Sequence, residues 1–244
     1  NVLQGDLGTS IKYNRPVTTI IGESFPVSFE LGIRAIIISI VGGIGLGAYA
    51  AIRRGKAADT IAMTVAIIGV SVPSFIVAAL LQYFVALKLN QAAGTVIFPI
   101  SGWHNEMAKM LPSFALGLSS LATISRLMRT SMLDVMNSDY IKTAKAKGLS
   151  ERTIVWKHAM RNAVMPVITV LGPLTASILT GAFVVEQVFS VPGMGKYFVI
   201  SITERDYTMI AGTTVFYGAF LIIMTLLVDL AYGVIDPRVK LAES

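Results

Sequence analysis

The side chains able to do covalent or metal chemistry are few and scattered. The sequence holds no cysteine and only two histidines, His104 and His158, each isolated from any partner of the right kind. Disulfides, zinc–thiolate sites and a cysteine nucleophile are therefore excluded. There is no Walker lysine motif, no paired-histidine metalloprotease motif and no Gly-x-Ser-x-Gly elbow. Gly43, Gly45 and Gly47 alternate as in a nucleotide loop, but no strand precedes them and the surrounding stretch is apolar; they read as small residues that let two helices approach. What remains is the chemistry of charge. Between Arg126 and Arg161 stand eight basic residues (126, 129, 142, 145, 147, 152, 157 and 161) against the acids Asp134, Asp139 and Glu151. A dense basic island in an oily chain suits docking to a partner better than turnover of a substrate.

The island has the grammar of helix, stop, helix. Asn137, Ser138 or Asp139 can accept from the free N–H groups of a first turn, and Lys145 and Lys147 sit where a helix C-terminus favours cations. Gly148 supplies a left-handed stop. Ser150 and Glu151 start a second helix carrying Ile154, Val155, Trp156, Ala159 and Met160. The spacing of Tyr140, Ile141 and Ala144 gives the first helix one small apolar face, with Lys142, Lys145 and Lys147 beside it.

Everything around the island is built to cross a membrane. Charged residues are 14% of the chain and mean hydropathy is +0.70, against a usual charged share of about a quarter in soluble domains. Expected spans are residues 26–52, 60–87, 110–133, 164–185 and 208–228, each at or above the roughly 20 residues a helix needs. Pro73, between Ser71 and Ser74, should kink or break the second. Arg126 and Arg129 are expected to snorkel to the surface. The basic segments at 53–56, 126–161 and the C-terminal tail alternate with less basic ones, as cytoplasmic loops do. That pattern accounts for the net charge of +6 without nucleic acid. It also places the first residues outside and the C-terminus in the cytoplasm, from which an additional N-terminal span is expected.

Polar groups near or within the spans are candidates for a pathway or gate. Glu30 and Arg34 lie one turn apart and can pair on one face. Pro73, Gln82 and the hydroxyls of Ser119, Ser120, Thr123 and Ser125 complete the set, with helix-to-helix hydrogen bonding as the plain alternative.

The run 139–150, then His158 to Ala163 and Pro166, resembles the cytoplasmic EAA loop of bacterial ABC importer permeases in its oligopeptide and dipeptide version. Gly5-Asp6-Leu7-Gly8, Asp59, Ser71-Val72-Pro73-Ser74-Phe75, Phe189 to Gly195, Arg205-Asp206-Tyr207 and Asp236-Pro237-Arg238 resemble the same branch, in order along the chain. Lys142 and Thr143 stand where the broader family has the Glu and first Ala of its triplet, while Ala144 and Gly148 match. The resemblance implies an all-α membrane bundle of the type I ABC importer permease kind, with five spans here and six in the complete protein. It implies an external segment 1–24, a permease domain 25–235 with coupling loop 134–163, and a cytoplasmic tail 236–244. It implies docking through Tyr140, Ile141, Lys142, Thr143, Ala144, Lys145, Gly148 and Leu149.

By the same resemblance, the partners are a second permease subunit, two cytoplasmic ATPases and an extracytoplasmic peptide-binding protein, in the bacterial cytoplasmic membrane. ATP and Mg would sit on the ATPases, leaving this chain with no cofactor, no metal and no catalytic residue of its own. Within the family, nickel or another small solute is the alternative cargo. A secondary transporter would instead carry ionisable groups at mid-membrane and an internal repeat, and neither is evident.

Overall fold

A computed structural model of the chain describes residues 5–180 and 182–235. The expected motif at 236–238 and the tail lie outside the described residues. The described residues form helices joined by short connections, with one isolated bridge between Thr9 and Pro16. The helices are α1 (Val17–Ile52), α2 (Ala57–Ser71), α3 (Ser74–Ala93), α4 (Glu106–Met136), α5 (Asp139–Ala146), α6 (Glu151–Ala163), α7 (Met165–Thr180), α8 (Phe183–Phe189), α9 (Met194–Thr203) and α10 (Tyr207–Ile235). By length and composition α1, α3, α4 and α10 can each cross a membrane; α6 with α7, bent by 48°, makes a fifth.

The first span begins earlier than hydropathy suggests. Val17, Ile20, Ile21, Ser24, Ser28, Leu31 and Ala35 are buried along one stripe of α1, the helical period carried straight through Pro26. Thr, Gly, Glu and Ser between those positions hide the stripe from a hydropathy reading. Pro73 breaks its helix outright: α2 stops at Ser71 and α3 starts at Ser74, while the Ser71 hydroxyl donates to the Ile67 carbonyl at 2.8 Å. The expected span 164–185 also divides, because α7 ends at Thr180 and α8 is a separate short helix.

Two compact units make up the chain. One comprises residues 5–35, 73–116, 175–180 and 182–231. Its core joins Val17, Ile20, Met194, Met209 and Tyr217 with an aromatic cluster that includes Phe25, Phe183 and Phe216. The other comprises residues 36–72, 117–174 and 232–235. In it α1 and α4 pack through the small-residue seam the glycines announced: a Cβ on Gly43 would lie 2.7 Å from Ile124, and one on Gly47 would overlap the Ser125 carbonyl. The Ser39 hydroxyl donates across the same seam to the Gly117 carbonyl at 2.8 Å.

Candidate functional site

The basic island folds as a short helix, a left-handed turn and a second helix, all within the second unit. Its stop is a Schellman turn: the Gly148 N–H donates to the Lys145 carbonyl at 2.9 Å and the Leu149 N–H to the Ala144 carbonyl at 3.3 Å. Gly148 has φ +75°, where an L side chain costs about 1–2 kcal/mol. The Ser150 Oγ then accepts the Thr153 N–H and opens α6. At the start of α5 the expected side-chain cap is absent: Ser138 stands at the N-cap position, but its hydroxyl donates to the Val135 carbonyl at 2.6 Å. Asp139 pairs with Lys142 at 2.8 Å, in a fully solvated position.

The apolar face of α5 turns inward. Ile141 is 0% and Ala144 7% exposed, packed in a core with Met128 and Met132 of α4 and Ile154, Val155 and Ala159 of α6. Burial of Ile141 alone is worth about 1.5–3 kcal/mol. Tyr140, 43% exposed, is fixed by its hydroxyl, which accepts from the Asn162 amide at 2.8 Å. The outward rim is then Tyr140, Lys142, Thr143, Lys145, Ala146, Lys147, Gly148 and Leu149. Of the eight expected docking residues the structure brings six to this rim and uses Ile141 and Ala144 as the anchors beneath it. A cavity of about 280 Å³ opens beside the loop, bordered by Arg54, Asn137, Lys145 and Glu151 over an apolar floor.

A brace stands behind the loop. Arg129 does not snorkel: it forks onto Asp59, Nε to Oδ1 at 2.6 Å and the terminal nitrogen to Oδ2 at 2.8 Å, while the Gly55 N–H donates to the same carboxylate at 3.0 Å. Hydrogen bonding to Arg129 holds the Asp59 carboxyl down at about 2, against the upward push of burial. The pair fixes the start of α2 to α4 within a turn of Met128 and Met132. Asp59 lies one residue ahead of an apolar stretch, and that position was the available signal.

The pathway candidates part company. Glu30 and Arg34 do pair, with Nε to Oε1 at 2.9 Å, inside a larger cluster. Arg34 also reaches Glu106 at 2.8 Å, Lys109 reaches Glu30 at 2.9 Å and Glu106 at 3.3 Å, and Trp103 Nε1 donates to Glu30 at 3.2 Å. Lys109 lies over the Trp103 ring, 5.3 Å from its centroid. Gln82 spends its amide on the carbonyls of Ile100 and Val188, at 2.9 and 3.1 Å, stapling the 94–105 loop. Ser125 is fully buried in the α1–α4 seam, its hydroxyl without a partner among the described residues. Pro73 is the break already described.

Residues 43–241 match the family described as binding-protein-dependent transport system inner membrane component, well over half of the chain. The chain belongs to this family. It is 53% identical to the dipeptide transport system permease protein DppB of Bacillus subtilis, over 99% of this chain and 77% of that protein. To the oligopeptide transport system permease protein OppB of Haemophilus influenzae it is 40% identical, over 98% of this chain and 78% of that one. Among solved structures, it shares its fold with an amino acid ABC transporter crystallised with histidines (TM-score 0.63, 17% identity, 94% of this chain and 96% of that one). An inward-facing MetNI methionine ABC transporter is similar too (TM-score 0.67, 15% identity, 91% and 96%). The family member is thus a multi-pass membrane permease of an ABC transporter complex.

Proposed function

We propose that the chain is the transmembrane permease subunit of an ATP-driven importer for dipeptides or oligopeptides, contributing half of the pathway and coupling to a cytoplasmic ATPase through residues 139–166. The observation that carries this reading is the loop itself. Its apolar side is anchored in the chain's own core and its basic rim is left free, in a sequence closely related to peptide permeases. Such a loop is rigid enough to transmit force and polar enough to leave water for a partner.

The partners are a second homologous permease, two ATPase subunits that bind ATP and Mg, and an extracytoplasmic peptide-binding protein; no nucleic acid is involved. This chain contributes no ATP-hydrolysing site. Basic loops 53–56 and 126–161 face the cytoplasm together with the C-terminus, so the segments 5–24, 94–105 and 190–206 face outside and offer the binding protein its contacts. Movement of the docked ATPases passes from α5 through Ile141 and Ala144 to Met128 and Met132 of α4, switching the pathway formed with the partner permease between outward and inward access. Glu30 and Arg34 are the pathway residues best placed to meet cargo, being partly exposed and charged. Pro73 acts as a helix break, while Gln82 and Ser125 support packing around the pathway.

Uptake of a labelled dipeptide, in cells whose complete transporter lacks or regains this chain, tests the reading. We expect ATP-dependent uptake restored with the chain and competed by unlabelled short peptides. Restoration of nickel uptake without peptide uptake would assign the cargo to the other branch of the family.

A further inference from the structure

Glu186 is a carboxylic side chain with no exposed surface, on the inner face of α8. One oxygen, Oε2, accepts the Gly195 N–H at 2.7 Å and a hydrogen bond from the Ser28 hydroxyl of α1. The Ser28 oxygen in turn accepts the Met194 N–H at 2.8 Å. The Met194 and Gly195 N–H groups thus tie the turn 190–195 to Ser28 of α1 and to Glu186. The turn fits the acid tightly: a Cβ on Gly195 would lie 2.8 Å from Oε2, and one on Gly193 would overlap both Oε2 and the Ser28 hydroxyl. The other oxygen, Oε1, has no hydrogen-bond partner among the described residues, and neither does the buried Tyr217 hydroxyl of α10, a helix that α8 meets through the Phe183 and Tyr217 rings.

No cation answers this carboxyl among the described residues. The first turns of α3 that pack on α8 carry no titratable group. On α1 the group facing Glu186 is the neutral Ser28, and on α10 it is Tyr217. Lys196, next to Gly195 on α9, is exposed and lies over the Tyr197 ring, 5.8 Å from its centroid. An ionised carboxylate here would bury a charge with one oxygen unsolvated, which is costly. A carboxylic acid keeps Oε2 as an acceptor and leaves no charge on the unpartnered Oε1.

We infer that Glu186 is a positioning residue held as an uncharged acid, and that its proton keeps the 190–195 elbow closed on α1 and α9 where a salt bridge would otherwise be expected. Burial is the main influence on this group and pushes its pKa up, the Ser28 and Gly195 donors opposing it. For a raised acid, the stabilisation is complete below the ordinary Glu value of about 4.3 and is lost as pH rises through the folded value. The elbow is thus a segment of the proposed outer face that loosens on the alkaline side. The inference rests on the permease reading only for which side the elbow faces.

The absence of native cysteine makes the test direct. Val191, 2% exposed, is replaced by Cys in the assembled transporter, with Gln187→Cys as the exposed reference on the same segment. Maleimide labelling is followed from about pH 4 to about pH 9, a range that brackets the ordinary Glu and Cys values, and because burial raises the pKa of the Val191→Cys thiol itself, the ratio of the two rates is read against the same ratio in Glu186→Gln. We expect the ratio to be flat at low pH and to rise about tenfold toward the alkaline end. With Glu186→Gln, an uncharged mimic, only the rise that the buried thiol's own titration gives should remain, and an equal rise in parent and variant would overturn the inference. A pH-independent ratio in the parent would overturn the inference, as would fast labelling of the Gln variant at neutral pH. Should the Gln variant fail to accumulate, hydrogen exchange of the Val191 amide, which donates to the Glu186 carbonyl at 2.8 Å, decides in the parent once corrected for its intrinsic pH dependence: protection lost toward alkaline pH supports the inference and constant protection overturns it. Loss of peptide uptake with this labelling pattern intact would count against the permease reading and leave the elbow's proton in place.

Discussion

The 139–150 loop and the 183–195 elbow are the same device built with opposite chemistry. Each is a short helix, a left-handed residue and a second helix: Gly148 at φ +75° in the loop, Ser190 at φ +53° in the elbow. The loop hides its apolar anchors Ile141 and Ala144 and exposes its charges. The elbow does the reverse, enclosing Glu186 beneath a turn made of Gly193, Met194 and Gly195. A loop built the first way can exchange water for a partner surface and keep its fold. An elbow built the second way is committed to one internal arrangement, because its key polar group has only internal partners. The glycines differ accordingly: torsion requires Gly148, whose Cβ would meet nothing within 4 Å, and space requires Gly193.

Substitutions that exchange these demands should separate the two regions. The largest effect is expected behind the loop, where Arg129→Ala leaves Asp59 buried with only the Gly55 N–H as partner, at a cost of about 3 kcal/mol; thermal unfolding in detergent measures it, and Asp59→Ala/Arg129→Ala should recover part of the loss. At the elbow, Gly193→Ala should cost about 2 kcal/mol by overpacking and Gly193→Asn should be no better. At the loop, Gly148→Ala should cost about 1 kcal/mol and Gly148→Asn less, since Asn tolerates the left-handed region. Gly148→Val should insert normally yet lower peptide uptake at least about tenfold, because a β-branched residue is poorly accommodated there. Equal responses to Asn at 148 and 193 would erase the distinction. Smaller still, Asn162→Ala removes the tie to Tyr140 and should cost about 1 kcal/mol, read as faster exchange of the α5 amides.

The two regions also differ in how much of them the sequence shows. Charges facing water cluster along the chain, so the island, its glycine stop and its second helix are legible from residue order. The bundle is legible too, through the charge-free stretches. Partnerships across the chain are not: Arg129 has an aliphatic stem that fits snorkelling equally well, and only the fold brings Asp59, seventy residues away, within reach of its fork. Ser138 looks like a cap by type, yet its hydroxyl turns back to Val135. Glu186 reads as a loop residue because it follows an apolar run; nothing local reveals that Gly193 and Gly195 leave room for it. The stripe at residues 17–24 was present in the period but diluted by polar neighbours.

A pH titration gives the weakest of these effects. Burial pushes the Asp206 carboxyl up, but the Ser10 hydroxyl at 2.5 Å and the N–H groups of Met209 and Lys12 outweigh it, and its pKa is lowered. A lowered acid contributes fully above the ordinary Asp value of about 3.9, and the contribution is lost as pH falls through the folded value. Asp206→Asn should flatten the acid limb of stability by removing this linkage, whereas Glu186→Gln should flatten the alkaline limb.

The claim that energy enters at the coupling loop is tested most directly by cross-linking from the loop's rim. Ala144 is covered, so the single Cys belongs at the exposed Ala146, in membranes containing the assembled transporter, with a short thiol-to-amine reagent. We expect an adduct between this chain and a P-loop ATPase, its yield changed by ATP and abolished when the ATPase is omitted. A folded, assembled transporter giving no ATPase adduct from position 146, with or without ATP, would contradict docking at this loop.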